Sequence, residues 1–222
     1  MRSLISHMRP KSSISEQYRT IRTNIQFSSV DQAIKSILVT SSVQAEGKST
    51  TTANLAIVFS QQGKRVLLVD GDMRKPTVHY TFQLDNRIGL TNVLTKQMNA
   101  TSAIQRSAVE NLDILTSGPI PPNPAELLGS HAMEELLSEL YRNYDLVIFD
   151  SPPVLPVTDA QILANQCDGV IMVVQSNQSD KESTLKAKEL LMGAKGKLLG
   201  VVLNRKAKGD SGYYYYYGSE SQ

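Results

Sequence analysis

Short apolar runs recur along the chain, with amphipathic stretches between them. Ile37-Leu38-Val39, Val66-Leu67-Leu68-Val69, Leu146-Val147-Ile148-Phe149 and residues 170–174 lack the alternation of a half-solvated strand. Each therefore predicts a strand covered on both faces. Leu112-Asp113-Ile114-Leu115 and residues 199–203 add two further strands. Helical periodicity fills the gaps: a helix through Ala53, Leu55, Ala56 and Val58 that Gly63 ends, a short one at 90–94, a long one from Pro124 to about residue 143, and others over 159–165 and 181–192. Before the first strand, Ser15 is the expected N-cap of a helix reaching about residue 28. Tyr18, Ile21 and Ile25 share one of its faces, and Glu16, Arg19 and Arg22 a neighbouring one. Strands alternating with helices predict an α/β fold: a mostly parallel central sheet with right-handed crossovers and helices on both faces. Beyond the short helix at 90–94, the pattern assigns nothing to the region from about 77 to 105.

The ends of the chain differ from its middle. Residues 1–14, with Arg2, Arg9, Pro10, Lys11 and several serines, read as a flexible arm, and residues 15–205 as one domain. Residues 206–222 read as a flexible tail in which Tyr213, Tyr214, Tyr215, Tyr216 and Tyr217 stand in a row between glycine-rich and polar flanks. With 222 residues, 41% hydrophobic and 20% charged, the chain can bury one large core. A net charge of +2 is too mild to indicate nucleic acid or an anionic membrane surface. The single cysteine, Cys167, rules out an intrachain disulfide and suits a reducing cytosol. No apolar run approaches the roughly 20 residues that span a bilayer, and the first residues do not form a signal peptide. A cytoplasmic location follows as an expectation, with any membrane role exercised through a partner.

The chemistry concentrates where the first strand ends. Ser36-Ile37-Leu38-Val39-Thr40 runs into Ser41-Ser42-Val43-Gln44-Ala45-Glu46-Gly47-Lys48-Ser49-Thr50 and then into a helix, the strand, loop, helix setting of a Walker A phosphate site. Gly47 lets the backbone approach a phosphate, and N–H groups from Ala45 to Thr50 with the helix N-terminus supply positive potential. Lys48 can reach the outer phosphates, and the Ser49 hydroxyl suits Mg²⁺. Ser42 departs from the general pattern, which has glycine there. Asp70, Asp72 and Asp150 also lie just beyond apolar runs, and in a parallel sheet the carboxyl ends of the strands form the ligand crevice. Asp150 stands where a Walker B carboxylate holds Mg²⁺, and of Asp70 and Asp72 one can serve the metal while the other accepts a proton from an incoming hydroxyl. The plain alternatives are a turn at Asp70-Gly71-Asp72 and a solvated, internally paired row at Glu16, Arg19 and Arg22.

The stretch Val66-Leu67-Leu68-Val69-Asp70-Gly71-Asp72-Met73-Arg74-Lys75-Pro76 resembles the Walker A′ motif of bacterial tyrosine kinases, the BY-kinases of capsule and exopolysaccharide synthesis. The cradle through Lys48, Asp150 with its Ser-Pro-Pro, the Pro-Pro-Asn-Pro loop at 121–124 and the tyrosine cluster extend the resemblance over nearly the whole chain. It implies a P-loop NTPase fold related to partition and division-site ATPases, ATP as substrate with Mg²⁺, and a cytoplasmic kinase whose transmembrane activator is a separate polypeptide at the inner face of the membrane. By resemblance, Lys48 binds phosphate, Asp70 is the candidate base, and Ser49, Asp72 and Asp150 serve the metal. Asn204 and Arg205 match a position at which related ATPases contact adenine. Glu16, Arg19 and Arg22 match a subunit-contact motif, implying a ring-like homo-oligomer with trans-autophosphorylation, and the expected substrates are proteins of polysaccharide synthesis.

Five adjacent phenols have no use in a core but suit an acceptor segment. About eight residues separate Arg205 from Tyr213, a reach of at most about 28 Å. Full phosphorylation would add roughly −8 to −10 to each tail, so the tails are expected to leave the acidic site and the ring to dissociate. Two other functions share these features: a partition or division-site ATPase switch, which usually carries lysine where this chain has Val43, and a noncatalytic nucleotide-dependent scaffold.

Overall fold

The computed structural model describes residues 4–28 and 33–206. In chain order the elements are α1 (Ile5–Met8), α2 (Ser13–Phe27), β1 (Ser36–Ser41), α3 (Lys48–Ser60), β2 (Val66–Asp70), α4 (Val78–Phe82), α5 (Leu90–Leu94), α6 (Ala100–Ala103), β3 (Gln105–Arg106), β4 (Leu112–Leu115), α7 (Pro124–Leu128), α8 (His131–Asn143), β5 (Leu146–Asp150), α9 (Asp159–Ala164), β6 (Gly169–Gln175), α10 (Lys181–Met192) and β7 (Lys197–Asn204). The strands form one sheet in the order β3-β4-β2-β5-β1-β6-β7. Every neighbouring pair is parallel except β3 with β4. The expected mostly parallel α/β sheet is therefore the one that forms.

Successive side chains on a strand point to opposite faces, and the apolar runs feed two cores accordingly. Leu38, Leu67, Val69, Val147, Phe149, Val170 and Met172 join the core beneath α8, α9 and α10. Ile37, Val39, Val66, Leu68, Leu146, Ile148, Ile171 and Val173 join the one beneath α3. Continuous burial on β1, β2 and β5 is the reason those runs do not alternate. Among the described residues no helix is long and apolar enough to cross a membrane.

Helix α3 is buried on all sides from Thr51 to Ser60, so it needs a second layer over it. That layer corrects the expectation of a flexible arm over 1–14, at least from residue 4 onward. Leu4 is buried, the Ser6 N–H donates to Asn54 Oδ1 at 2.9 Å, and Gln61 Nε2 donates to the Ser6 carbonyl at 3.0 Å. Ser12, rather than Ser15, caps α2 by accepting the Ser15 N–H at 3.2 Å, while the buried Ser15 hydroxyl donates to the Arg9 carbonyl at 2.8 Å. Tyr18 and Ile25 face α3 as the periodicity predicts.

Two other expectations change. The long helix from Pro124 is two helices, α7 and α8, because Gly129 and Ser130 interrupt it and Ser130 adopts an extended conformation. The helix expected to run to Gly63 stops at Ser60, and Gly63 takes a left-handed φ of 80° in the turn that follows. The region 77–105 forms α4, α5, α6 and the start of β3. Lys206 is the last described residue, so the tail and Tyr213, Tyr214, Tyr215, Tyr216 and Tyr217 lie outside the described residues.

Candidate active site

Strand order and register assemble the site. β1 lies beside β5, and β5 beside β2, with Val39 opposite Asp150 and Asp70 opposite Asp150. The loop after β1 and the carboxylates ending β2 and β5 thus emerge side by side at the carboxyl edge of the sheet. Gly47 precedes α3 with a φ of 93°, a conformation that disfavours any side chain, and a Cβ there would lie 2.0 Å from Asn204 Nδ2. Ala45 also takes a left-handed φ of 69°, so the loop backbone alternates in the way that turns N–H groups toward an anion.

Ser42 has a use for its side chain. Its hydroxyl donates to the carboxylate of Glu46 at 2.8 Å, and Glu46 also accepts the Val43 N–H at 3.0 Å and the Ser179 hydroxyl. Asn204 Nδ2 donates to the Glu46 carbonyl at 2.9 Å. Glu46 and Asn204 therefore brace the loop, whereas Ala45, Gly47, Lys48, Ser49, Thr50 and Arg205 line a crevice of about 430 Å³. That volume is in the range that holds a small molecule.

At the head of the crevice the Lys48 ammonium lies 3.1 Å from Asp72 Oδ2, 3.5 Å from Asp150 Oδ2 and 3.2 Å from Ser49 Oγ. Burial works against its charge, but Asp150 and Asp72 outweigh burial and hold the ammonium above its ordinary pKa. Thr52 Oγ1, one turn beyond Lys48, donates to Asp150 Oδ1 at 3.2 Å. Asp70 is fully buried, accepting the N–H groups of Asp72 at 3.2 Å, Thr77 at 3.1 Å and Val78 at 3.0 Å. Burial, and then the charge of Asp150, push the Asp70 carboxyl up to about 8. Burial raises Asp150 as well, with Lys48 opposing it. Of the two Walker A′ carboxylates, Asp72 lines the crevice and Asp70 stands behind it.

Asp72 and Asp150 thus share one ammonium, with buried Asp70 behind them, and Asp150 Oδ2, 3.5 Å from Lys48, is buried with no hydrogen-bond partner among the described residues. A hard divalent cation satisfies both conditions. Among the described residues no group of three or more His, Cys, Asp or Glu side chains forms a metal cage. The donors present suit Mg²⁺ instead, which is typically held by one or two protein oxygens together with phosphates.

Glu16, Arg19 and Arg22 lie on α2, apart from the crevice. Glu16 and Arg19 pair with each other at the surface, and Arg22 Nη1 donates to the Val58 carbonyl of α3 at 2.6 Å. Arg74, which lines the crevice, is paired with buried Asp159, and neither is among the expected site residues. Arg74 carried a signal in the Walker A′ stretch; Asp159, 85 residues further along the chain, carried none.

Residues 34–187 match the family model described as an AAA domain. Tyrosine-protein kinase YwqD of Bacillus subtilis is 56% identical over 219 residues, which cover 99% of this chain and 92% of that protein. The chimerical protein CapA2B2 superposes with a TM-score of 0.90 at 49% identity, covering 94% of this chain and 92% of that one. The septum site-determining protein MinD, complexed with Mg-ADP, from Pyrococcus horikoshii superposes with a TM-score of 0.67 at 26% identity, covering 79% and 72%. The fold is thus shared with division-site ATPases, while the near full-length identity is to a kinase. Taken with the doubled carboxylates around Lys48, these likenesses make the chain a member of the bacterial tyrosine kinase family, an enzyme that phosphorylates protein tyrosines.

Proposed function

We propose that this kinase transfers the terminal phosphoryl group of ATP, bound with Mg²⁺, to its own Tyr213, Tyr214, Tyr215, Tyr216 and Tyr217, and so regulates capsule or exopolysaccharide synthesis. The observation that carries the reading is the convergence of Lys48, Asp72 and Asp150 around a crevice beside a phosphate loop. The loop N–H groups and Lys48 bind and orient the phosphates. Ser49 Oγ and Asp150 Oδ2 would hold Mg²⁺, which when bound offsets charge on the phosphate oxygens. The expected base, Asp70, is buried behind the crevice with its carboxylate accepting three backbone N–H groups, so Asp72, which lines the crevice, is assigned as the proton acceptor for the phenol instead. Arg205 lines the crevice and is assigned to the nucleotide, and Asn204 and Glu46 hold the loop in shape.

Purified protein incubated with labelled ATP and Mg²⁺ tests this reading. Label on residues 213–217, mapped by mass spectrometry, is the expected result. Phosphate release without tyrosine label would favour a division-site type ATPase switch, and neither product would favour a noncatalytic scaffold.

The proposed assembly is a ring of copies, each tail entering a neighbour's crevice, recruited to the inner face of the cell membrane by a transmembrane activator. Similarity to a chimera whose name joins an A and a B component supports a second polypeptide. Glu16 and Arg19 are the surface-available members of the α2 row, since Arg22 is engaged with α3. Glu16→Ala combined with Arg19→Ala is expected to shift the light-scattering mass toward monomer while the melting temperature stays within about 2 °C, because an exposed pair contributes little to folding. An unchanged mass would remove α2 from the interface.

A further inference from the structure

Arg74 and Asp159 form a pair that the phosphate-loop chemistry does not require. Asp159, the first residue of α9, is fully buried, and both of its carboxylate oxygens accept from Arg74: Oδ2 from Nε at 2.9 Å and Oδ1 from Nη2 at 2.9 Å. Arg74 itself is 41% exposed and lines the crevice with Lys48, Ser49 and Asp72. Its Nη1 has no hydrogen-bond partner among the described residues. Burying an ion pair is weak support for a fold, since apolar side chains of similar volume often serve as well. The value of this one is directional. A guanidinium is a rigid plane, so fixing Nε and Nη2 also fixes where Nη1 points, something an ammonium on a flexible stem cannot offer. The pair also joins the segment after β2, which carries Asp72, to the start of α9, the helix that follows β5 and its terminal Asp150.

We infer that Asp159 is a positioning residue that aims the remaining edge of Arg74 at the terminal phosphate of the bound nucleotide, opposite Lys48. This rests on the reading of the crevice as the ATP site. Arg74 would then discriminate a triphosphate from a diphosphate, because only the former places an anionic group within its reach.

Calorimetric binding of Mg-ATP and Mg-ADP to the full chain tests the inference. In wild-type protein the ratio of the two affinities sets the reference. Arg74→Ala, Arg74→Lys and Asp159→Asn are each expected to lower the ATP-over-ADP preference about tenfold, about 1.4 kcal/mol, with ADP binding unchanged. The double variant Arg74→Ala, Asp159→Asn should fall no further than Arg74→Ala alone, as expected of residues acting through one another. A preference unchanged in Arg74→Ala, or fully restored in Arg74→Lys, would overturn the inference, the latter because charge alone would then suffice. Should loss of the buried partner unfold Asp159→Asn, the two substitutions of half-exposed Arg74 decide the matter. Failure of the wild-type chain to bind Mg-ATP would instead remove the ATP-site reading itself.

Discussion

Lys48→Met is expected to lower tyrosine labelling on the order of 10²–10³-fold at saturating Mg-ATP, the scale of removing one preorganised donor from a charge-developing site. The reason is local. Lys48 is the cation within ion-pair distance of both Asp72 and Asp150, and its hydrogen bonds already point at Asp72 and Ser49. A methionine keeps much of the length and none of the charge, so incoming phosphates would meet Asp72 and Asp150, with Asp70 behind them, and no side-chain cation at the head of the loop. Nucleotide affinity is expected to fall together with the rate. The fold is expected to weaken too, since removing one partner of a buried pair leaves the other uncompensated, although proton uptake by the neighbouring acids limits that cost. Radiolabel incorporation into residues 213–217, normalised to folded protein by circular dichroism, measures the effect. Wild-type labelling by the Lys48→Met protein would mean that the phosphoryl group is transferred elsewhere.

Asp150→Asn is expected to lower the rate about 10²-fold and to raise the Mg²⁺ concentration needed for half-maximal labelling. The substitution is close to isosteric, and Thr52 Oγ1 can still donate to the retained oxygen. What changes is the Oδ2 position, buried and without a hydrogen bond among the described residues, which becomes an amide nitrogen that cannot coordinate a cation. It also places donor hydrogens 3.5 Å from the Lys48 ammonium in place of an acceptor. A Mg²⁺ titration at fixed ATP separates this from general damage, because misfolding lowers the plateau without moving the midpoint. An unmoved midpoint would show that Asp150 does not serve the metal.

Much of this architecture was legible in the chain because its signals are local. The apolar runs of β1, β2 and β5 are buried on both faces and read as such, and the loop from Ser42 to Ser49 carries its own residue types. What was not legible depends on partners distant in sequence. Residues 4–14 look like an arm until α3 is seen to need covering on every side, which is what Leu4 and Ser6 supply. Gly129 and Ser130 do not break the amphipathic pattern around them, and only the fold separates α7 from α8. Within the site, the residue types pointed to Lys48, Ser49, Asp72 and Asp150, but not to the bracing role of Glu46 through Ser42 and Ser179, nor to Asp159 behind Arg74. Residue type alone does not distinguish Asp70 from Asp72, and the resemblance implied that Asp70 is the base. Backbone N–H groups capture Asp70 and leave Asp72 at the crevice wall.

Cys167 is the single cysteine in 222 residues, and it sits in the core beneath α9 and α10 with burial pushing its thiol far above the ordinary value. A thiolate is the species that maleimides and iodoacetamides attack, so the native chain should be nearly silent toward them. Any cysteine introduced at an exposed position, such as 43 on the loop or 80 on α4, then becomes a unique attachment point, and a fluorophore placed there would report on the crevice without first stripping the protein of a competing sulfhydryl.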